Sequence, residues 1–250
     1  MAQRLGIAVI LTVLAAFGQQ SAARFEVASV KKAESGGPPG DIPRNMDTSP
    51  GHFAMRNVPL RYCLEWAYSL QDYELVGPDW IKGEERCDIY ANAPGPATDE
   101  AMRPMLQALL LERFQMKVHR ETREMAAYLL LPGKGAAKVK DSAADSQPGF
   151  VPNKEGGVLF RHFGISRLTF LLTRRMDHPV LDQTGLKGIY DYSLDLSGLS
   201  EFSGPPNPDP NGMSIFAAIQ QDLGLKLELH KQQPIDVLVI DAANKVPTAN

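Results

Sequence analysis

The chain has 250 residues, 44% of them hydrophobic and 22% charged, a composition that builds a globular core and excludes overall disorder. Its formal net charge of −3 comes without a basic stripe or a polybasic run, which argues against nucleic acid and anionic lipid as partners. The 2 cysteines and 5 histidines show neither CxxC nor HExxH spacing, and there is no G-x-S-x-G elbow or phosphate-cradling glycine loop. Local sequence therefore assigns no metal, no cofactor and no catalytic residue.

In chain order, Arg4 precedes an apolar run from Leu5 to Phe17, and Ser21-Ala22-Ala23 supplies the small residues a signal peptidase needs. Residues 1–23 read as a signal peptide cleaved after Ala23, with an uncleaved anchor as the alternative. No later segment approaches ~20 apolar residues, so the mature chain is expected to have no stable membrane span and to work in the periplasm or outside the cell. Residues 24–30 alternate with period two and open the fold as a strand. Residues 33–51, rich in Gly and Pro, read as a loop. Asn57 and Pro59 then start a helix whose buried stripe is Leu60, Cys63, Leu64, Ala67 and Tyr68.

Gly77-Pro78-Asp79-Trp80 reads as a turn and residues 86–92 as a strand. A second helix after Thr98 gathers Met102, Met105, Leu106, Leu109 and Leu110 on one face. Strands over 114–119 and 125–131 flank a charged hairpin turn. Residues 134–157 turn to Gly, Ala, Lys, Ser and Pro and read as a linker or long loop. A helix near 166–176, a strand over 190–196, a Pro-rich excursion at 204–212, and a last helix and hairpin ending at Ile240-Asp241 complete the chain.

Two stretches share one template. Residues 106–118, ending Phe114-Gln115-Met116-Lys117-Val118, are matched by 215–227, ending Leu223-Gly224-Leu225-Lys226-Leu227. Upstream, Arg86-Cys87-Asp88-Ile89-Tyr90 answers Ile189-Tyr190-Asp191-Tyr192-Ser193. The expected fold is α+β with mostly antiparallel sheets: an internal duplication of a helix-strand-helix-hairpin subdomain, over 24–133 and 158–245, with a tail at 246–250.

Phe25-Glu26-Val27-Ala28-Ser29-Val30-Lys31, Gly77-Pro78-Asp79-Trp80, His119-Arg120-Glu121-Thr122-Arg123-Glu124 and Asp182-Gln183-Thr184-Gly185-Leu186-Lys187-Gly188-Ile189-Tyr190-Asp191 carry a resemblance. With them the chain resembles a soil-associated exported-protein family of unknown function that is expanded in acidobacteria, and this resemblance implies no activity. Each half is also similar, more weakly, to the short N-terminal domain of secretins and TonB-dependent receptors, which implies recruitment of protein partners.

Cys63 on the first helix answers Phe170 in the second copy, and Cys87 answers Tyr190. Export suggests a disulfide closing a loop of about 25 residues and contributing roughly 3 kcal/mol; two buried thiols are the alternative. His119, Arg120 and Arg123 read first as a solvated turn with local ion pairs, and as a partner-binding patch in the functional alternative. Tyr62, Trp66 and Trp80 read first as core aromatics, and otherwise as an apolar groove. Asp88 and Asp191 are expected to cap a turn or accept backbone hydrogen bonds in their copies, with an acid/base couple as the alternative. Asn207-Pro208-Asp209-Pro210-Asn211-Gly212 imitates a calcium loop but meets Ala218 where the bidentate acid belongs.

A repeated scaffold without a dense reactive cluster points to a non-catalytic binding module of the cell envelope, monomeric or weakly associating. It would receive an envelope protein or peptide in a cleft or on a strand edge, such as one beside 125–131 or 235–240. An extracytoplasmic hydrolase with its site at the junction of the repeats, and a sensory domain linked to an envelope protease system, stand as alternatives.

Overall fold

A computed structural model describes residues 23–33, 46–83, 85–152, 157–196 and 214–248. The expected signal segment, apart from Ala23, and the Asn207 to Gly212 loop lie outside them. The fold is mixed α+β, with mostly antiparallel sheets and 5 helices among the described residues. The chain divides into two compact units: the first holds residues up to Tyr68, Glu85–Gln115 and the end from Asn244, and the second holds Ser69–Glu84 and Met116–Ala243.

The first unit is built on an antiparallel sheet in the order β1-β5-β3-β2, from Val27–Lys32, Arg86–Asn92, His52–Pro59 and Met46–Asp47. Helix α1 (Leu60–Tyr68) follows β3 without a loop and buries Leu60, Cys63, Leu64 and Ala67, most of the stripe its spacing predicts. Helix α3 (Asp99–Arg113) buries Met102, Leu106, Leu109 and Leu110, and its first turn is capped by Thr98, which accepts the Ala101 N–H at 3.4 Å. Gln107 Nε2 donates to the Ala67 carbonyl at 2.7 Å, which ties α3 to the last turn of α1. The far end of α3 gathers two distant segments. Arg24 pairs with Glu112 at 3.1 Å, and the Thr248 N–H donates to the Arg113 carbonyl at 2.7 Å.

In the second unit one sheet runs β7-β11-β9-β8, from Lys140–Asp141, Ile189–Leu194, Val158–Gly164 and Gly149–Pro152. Helices α4 (Ile165–Thr173) and α5 (Ile215–Leu223) share with it a core that includes Phe160, Phe163, Tyr192, Leu168 and Ile219. A second sheet, β10-β6-β12-β4, is centred on a long antiparallel ribbon of β6 (Lys117–Pro132) and β12 (Leu225–Ala242). The short strands β10 (Val180–Asp182) and β4 (Leu75–Val76) join it in parallel, at Tyr128 to Leu130 of β6 and at Leu238 and Val239 of β12.

Four expectations need correction. Residues 120–124 form no hairpin turn: β6 is continuous through them, paired residue by residue with β12, and strand pairing satisfies a backbone whose side chains are polar on both faces. The closing hairpin after α5 is likewise one strand, with an irregularity between His230 and Gln233. Gly77-Pro78-Asp79-Trp80 opens the short helix α2 (Asp79–Lys82) instead of turning back. Phe170 is 40% exposed, so it does not hold the place in α4 that the fully buried Cys63 holds in α1; Leu168, three residues into α4 as Cys63 is into α1, is the buried residue there.

Candidate functional site

Among the described residues, β6 contains the most exposed run of paired strand. His119, Arg120, Glu121, Thr122, Arg123 and Glu124 are all exposed, although their opposite numbers on β12 include the buried Ile235, Val237 and Leu238. Strand alternation sets His119, Glu121 and Arg123 on one face and Arg120, Thr122 and Glu124 on the other. The first face is a ladder of charge. Asp241 Oδ2 lies 2.8 Å from His119 Nδ1, Glu121 Oε2 lies 3.5 Å from His119 Nε2, and Arg123 Nε donates to Glu121 Oε1 at 2.6 Å. On the opposite face Thr122 Oγ1 donates to Asp236 Oδ1 at 2.6 Å.

The hydrogen bond to Asp241, helped by Glu121, raises the His119 imidazole above its ordinary pKa. The Arg123 guanidinium holds the Glu121 carboxyl below its usual range. The ladder is open to water, which screens its field. On its outer side β6 has no strand partner from Lys117 to Ala127 among the described residues, so the backbone donors and acceptors on that edge face outward.

Of the residues singled out in the sequence, the structure brings His119 and Arg123 into the ladder and sets Arg120 between them on the reverse face. Asp241 and Asp236 were missed, because their place beside β6 depends on the β6–β12 register. The signal was there in part, since Val239-Ile240-Asp241 alternates and so places Asp241 on the same face as Val239. Tyr62 and Trp66 stand on α1 of the first unit, whereas Trp80 stands on α2 of the second. Trp66 packs against the buried Phe53, with ring centroids 4.9 Å apart, and beneath the Arg103 guanidinium at 5.5 Å.

A cleft of about 620 Å³ opens in the second unit, lined by Lys138, Lys140, Arg161, Asp191, Tyr192 and Asp222. Asp191 accepts the backbone N–H of His162 at 2.8 Å, and Ser142 Oγ lies 3.4 Å from His162 Nδ1. This gathers a serine, a histidine and an aspartate without making a catalytic triad, because the aspartate holds the histidine backbone and not its ring. The bond to the His162 N–H, with one from Ser142, keeps the Asp191 carboxyl below its ordinary range. Asp88 accepts the Asn57 N–H at 2.7 Å in the first unit, so both aspartates do the backbone work expected of them. Among the described residues no group of three or more His, Cys, Asp or Glu is arranged to hold a metal ion.

Cys63 on α1 and Cys87 on β5 have their sulfurs 3.5 Å apart, both thiols buried and without a disulfide. The Cys87 contact and burial push the Cys63 thiol well above its ordinary pKa.

No curated protein and no solved structure matches the chain. A family model described as a protein of unknown function, DUF3738, matches residues 61–243, and the chain belongs to that family.

Proposed function

We propose that this chain is an exported, non-catalytic binding module of the cell envelope that takes an extended segment of a protein or peptide along the free edge of β6. The observation that carries the reading is the exposure of His119 to Glu124 on both faces of a strand whose outer edge has no partner strand among the described residues. Backbone hydrogen bonds along that edge supply affinity, and the charges of both faces select the partner. The signal-like N-terminus supports export. A hydrolase is less well supported, since the Ser142, His162 and Asp191 cluster is committed to holding a backbone bulge.

A photo-crosslinking residue at Thr122, irradiated in the intact envelope, is expected to give covalent adducts that the same residue at the exposed Glu100 of α3 does not. Equal yields at the two positions would rule the edge out as the binding surface.

The chain is also best understood as a duplication. The sheets β1-β5-β3-β2 and β7-β11-β9-β8 place corresponding strands in the same order, each bulge donates to an aspartate, and α3 and α5 each lead into one strand of the ribbon. This supports two repeats, the second reaching back through β7 and β8 into the segment 134–157 that the sequence reads as a linker. In the oxidising compartment Cys63 and Cys87 give up two protons and two electrons to a disulfide-exchanging oxidant and form a bond. Their burial makes that a step of folding, before the core closes. Two thiols alkylated in the exported, unreduced protein would disprove it.

A further inference from the structure

The free edge of β6 carries a charge pattern that is its own complement. Thr122 is the midpoint of the run from Lys117 to Ala127 that has no strand on its outer side among the described residues. Glu121 and Arg123 flank it, and Arg120 and Glu124 flank those. We propose that β6 pairs antiparallel with the β6 of a second copy of this chain, about a two-fold axis through Thr122. The proposal rests on the reading of this edge as the binding surface and names its partner.

In that register Glu121 faces the partner's Arg123 and Arg120 faces the partner's Glu124, and symmetry makes each contact twice. The register is tightly specified. A slip of one residue would set residues of one face opposite residues of the other, which antiparallel pairing does not allow. A slip of two puts Glu121 or Arg123 against its own copy at the axis. The second strand also ends where β10 begins, at the Tyr128 and Val180 pairing, so the join displaces no strand. Charged residues on a strand edge ordinarily prevent such association. Here the alternation of sign gives each central charge an opposite charge across the axis.

The test is sedimentation equilibrium on the full exported chain, with circular dichroism to establish that each variant is folded. Wild type is expected to dimerise reversibly with concentration. Glu121→Arg alone and Arg123→Glu alone each oppose like charges and are expected to be monomeric, whereas an equimolar mixture of the two restores both pairs and forms a mixed dimer. The double variant, with the charges exchanged in one chain, is expected to regain the dimer. Wild type that stays monomeric, single variants that dimerise as wild type does, or a mixture that fails to associate would each overturn the proposal. A monomeric wild type that still crosslinks other proteins at Thr122 would sink self-pairing and leave the binding edge standing; loss of both would sink both.

Discussion

Asn57 and His162 hold left-handed backbone, with φ of 52° and 53°, a conformation that costs non-glycine residues free energy. Each lies in a strand at an irregular register and gives its N–H to an aspartate on the neighbouring strand, Asp88 or Asp191. Removing the acceptor leaves a part-buried donor unsatisfied. Asp88→Ala is therefore expected to cost about 1–3 kcal/mol, read as a lower urea midpoint at unchanged slope. The recurrence of the two aspartates was legible in the sequence, and backbone acceptance was one of the two structural roles it offered them. The bulges were not, because neither Asn57 nor His162 is the glycine that would advertise a positive φ. His119 offers a second measurement. Its folded pKa is raised by Asp241, so the stabilisation it brings is full below its unfolded pKa of about 6.5 and is lost as pH rises through the folded value. Asp241→Asn is expected to lower the His119 titration midpoint seen by NMR, and its stability deficit should shrink as pH rises through the wild-type midpoint.

Helix ends and strands differ in how much of them the sequence discloses. The stripes of α1 and α3 were readable because a helix contacts its core through residues three and four apart, which local pattern records. The course of β6 was not readable, because a charge run with both faces exposed looks like a turn until its pairing with β12, more than a hundred residues away, is known. The helix exits show a finer contrast. After α5 the chain turns through Gly224 at φ 66°, and after α3 through Gln115 at φ 48°. A Cβ on Gly224 would stand 2.9 Å from the Ala136 carbonyl oxygen. Gly224→Ala is expected to destabilise by about 1–2 kcal/mol from its left-handed backbone alone, with the close approach adding to that. Gln115 bears its strain with help from its side chain, whose Oε1 accepts from Asn244 Nδ2 at 2.9 Å.

At the scale of the whole molecule, neither unit is one stretch of chain. The second takes Ser69–Glu84 and β6 from the first half of the sequence, and β6 finds its main partner, β12, in the second half. Residues 24–133 expressed alone should fail to give a cooperative unfolding transition, since β6 would present two bare edges; co-expression with 134–250 should restore it. Matched segments could suggest related halves but not that each half lends a strand to one ribbon, which is a matter of long-range pairing. The end of α3 has a different consequence. Arg24 and Thr248 bind neighbouring residues there, Glu112 and Arg113, so the two ends of the described chain come together at one helix terminus. Joined by a short flexible linker and reopened at the exposed turn between Asp145 and Ser146, the chain becomes a circular permutant with every strand pairing intact. That would free both tethering points for display on a surface or fusion to a reporter.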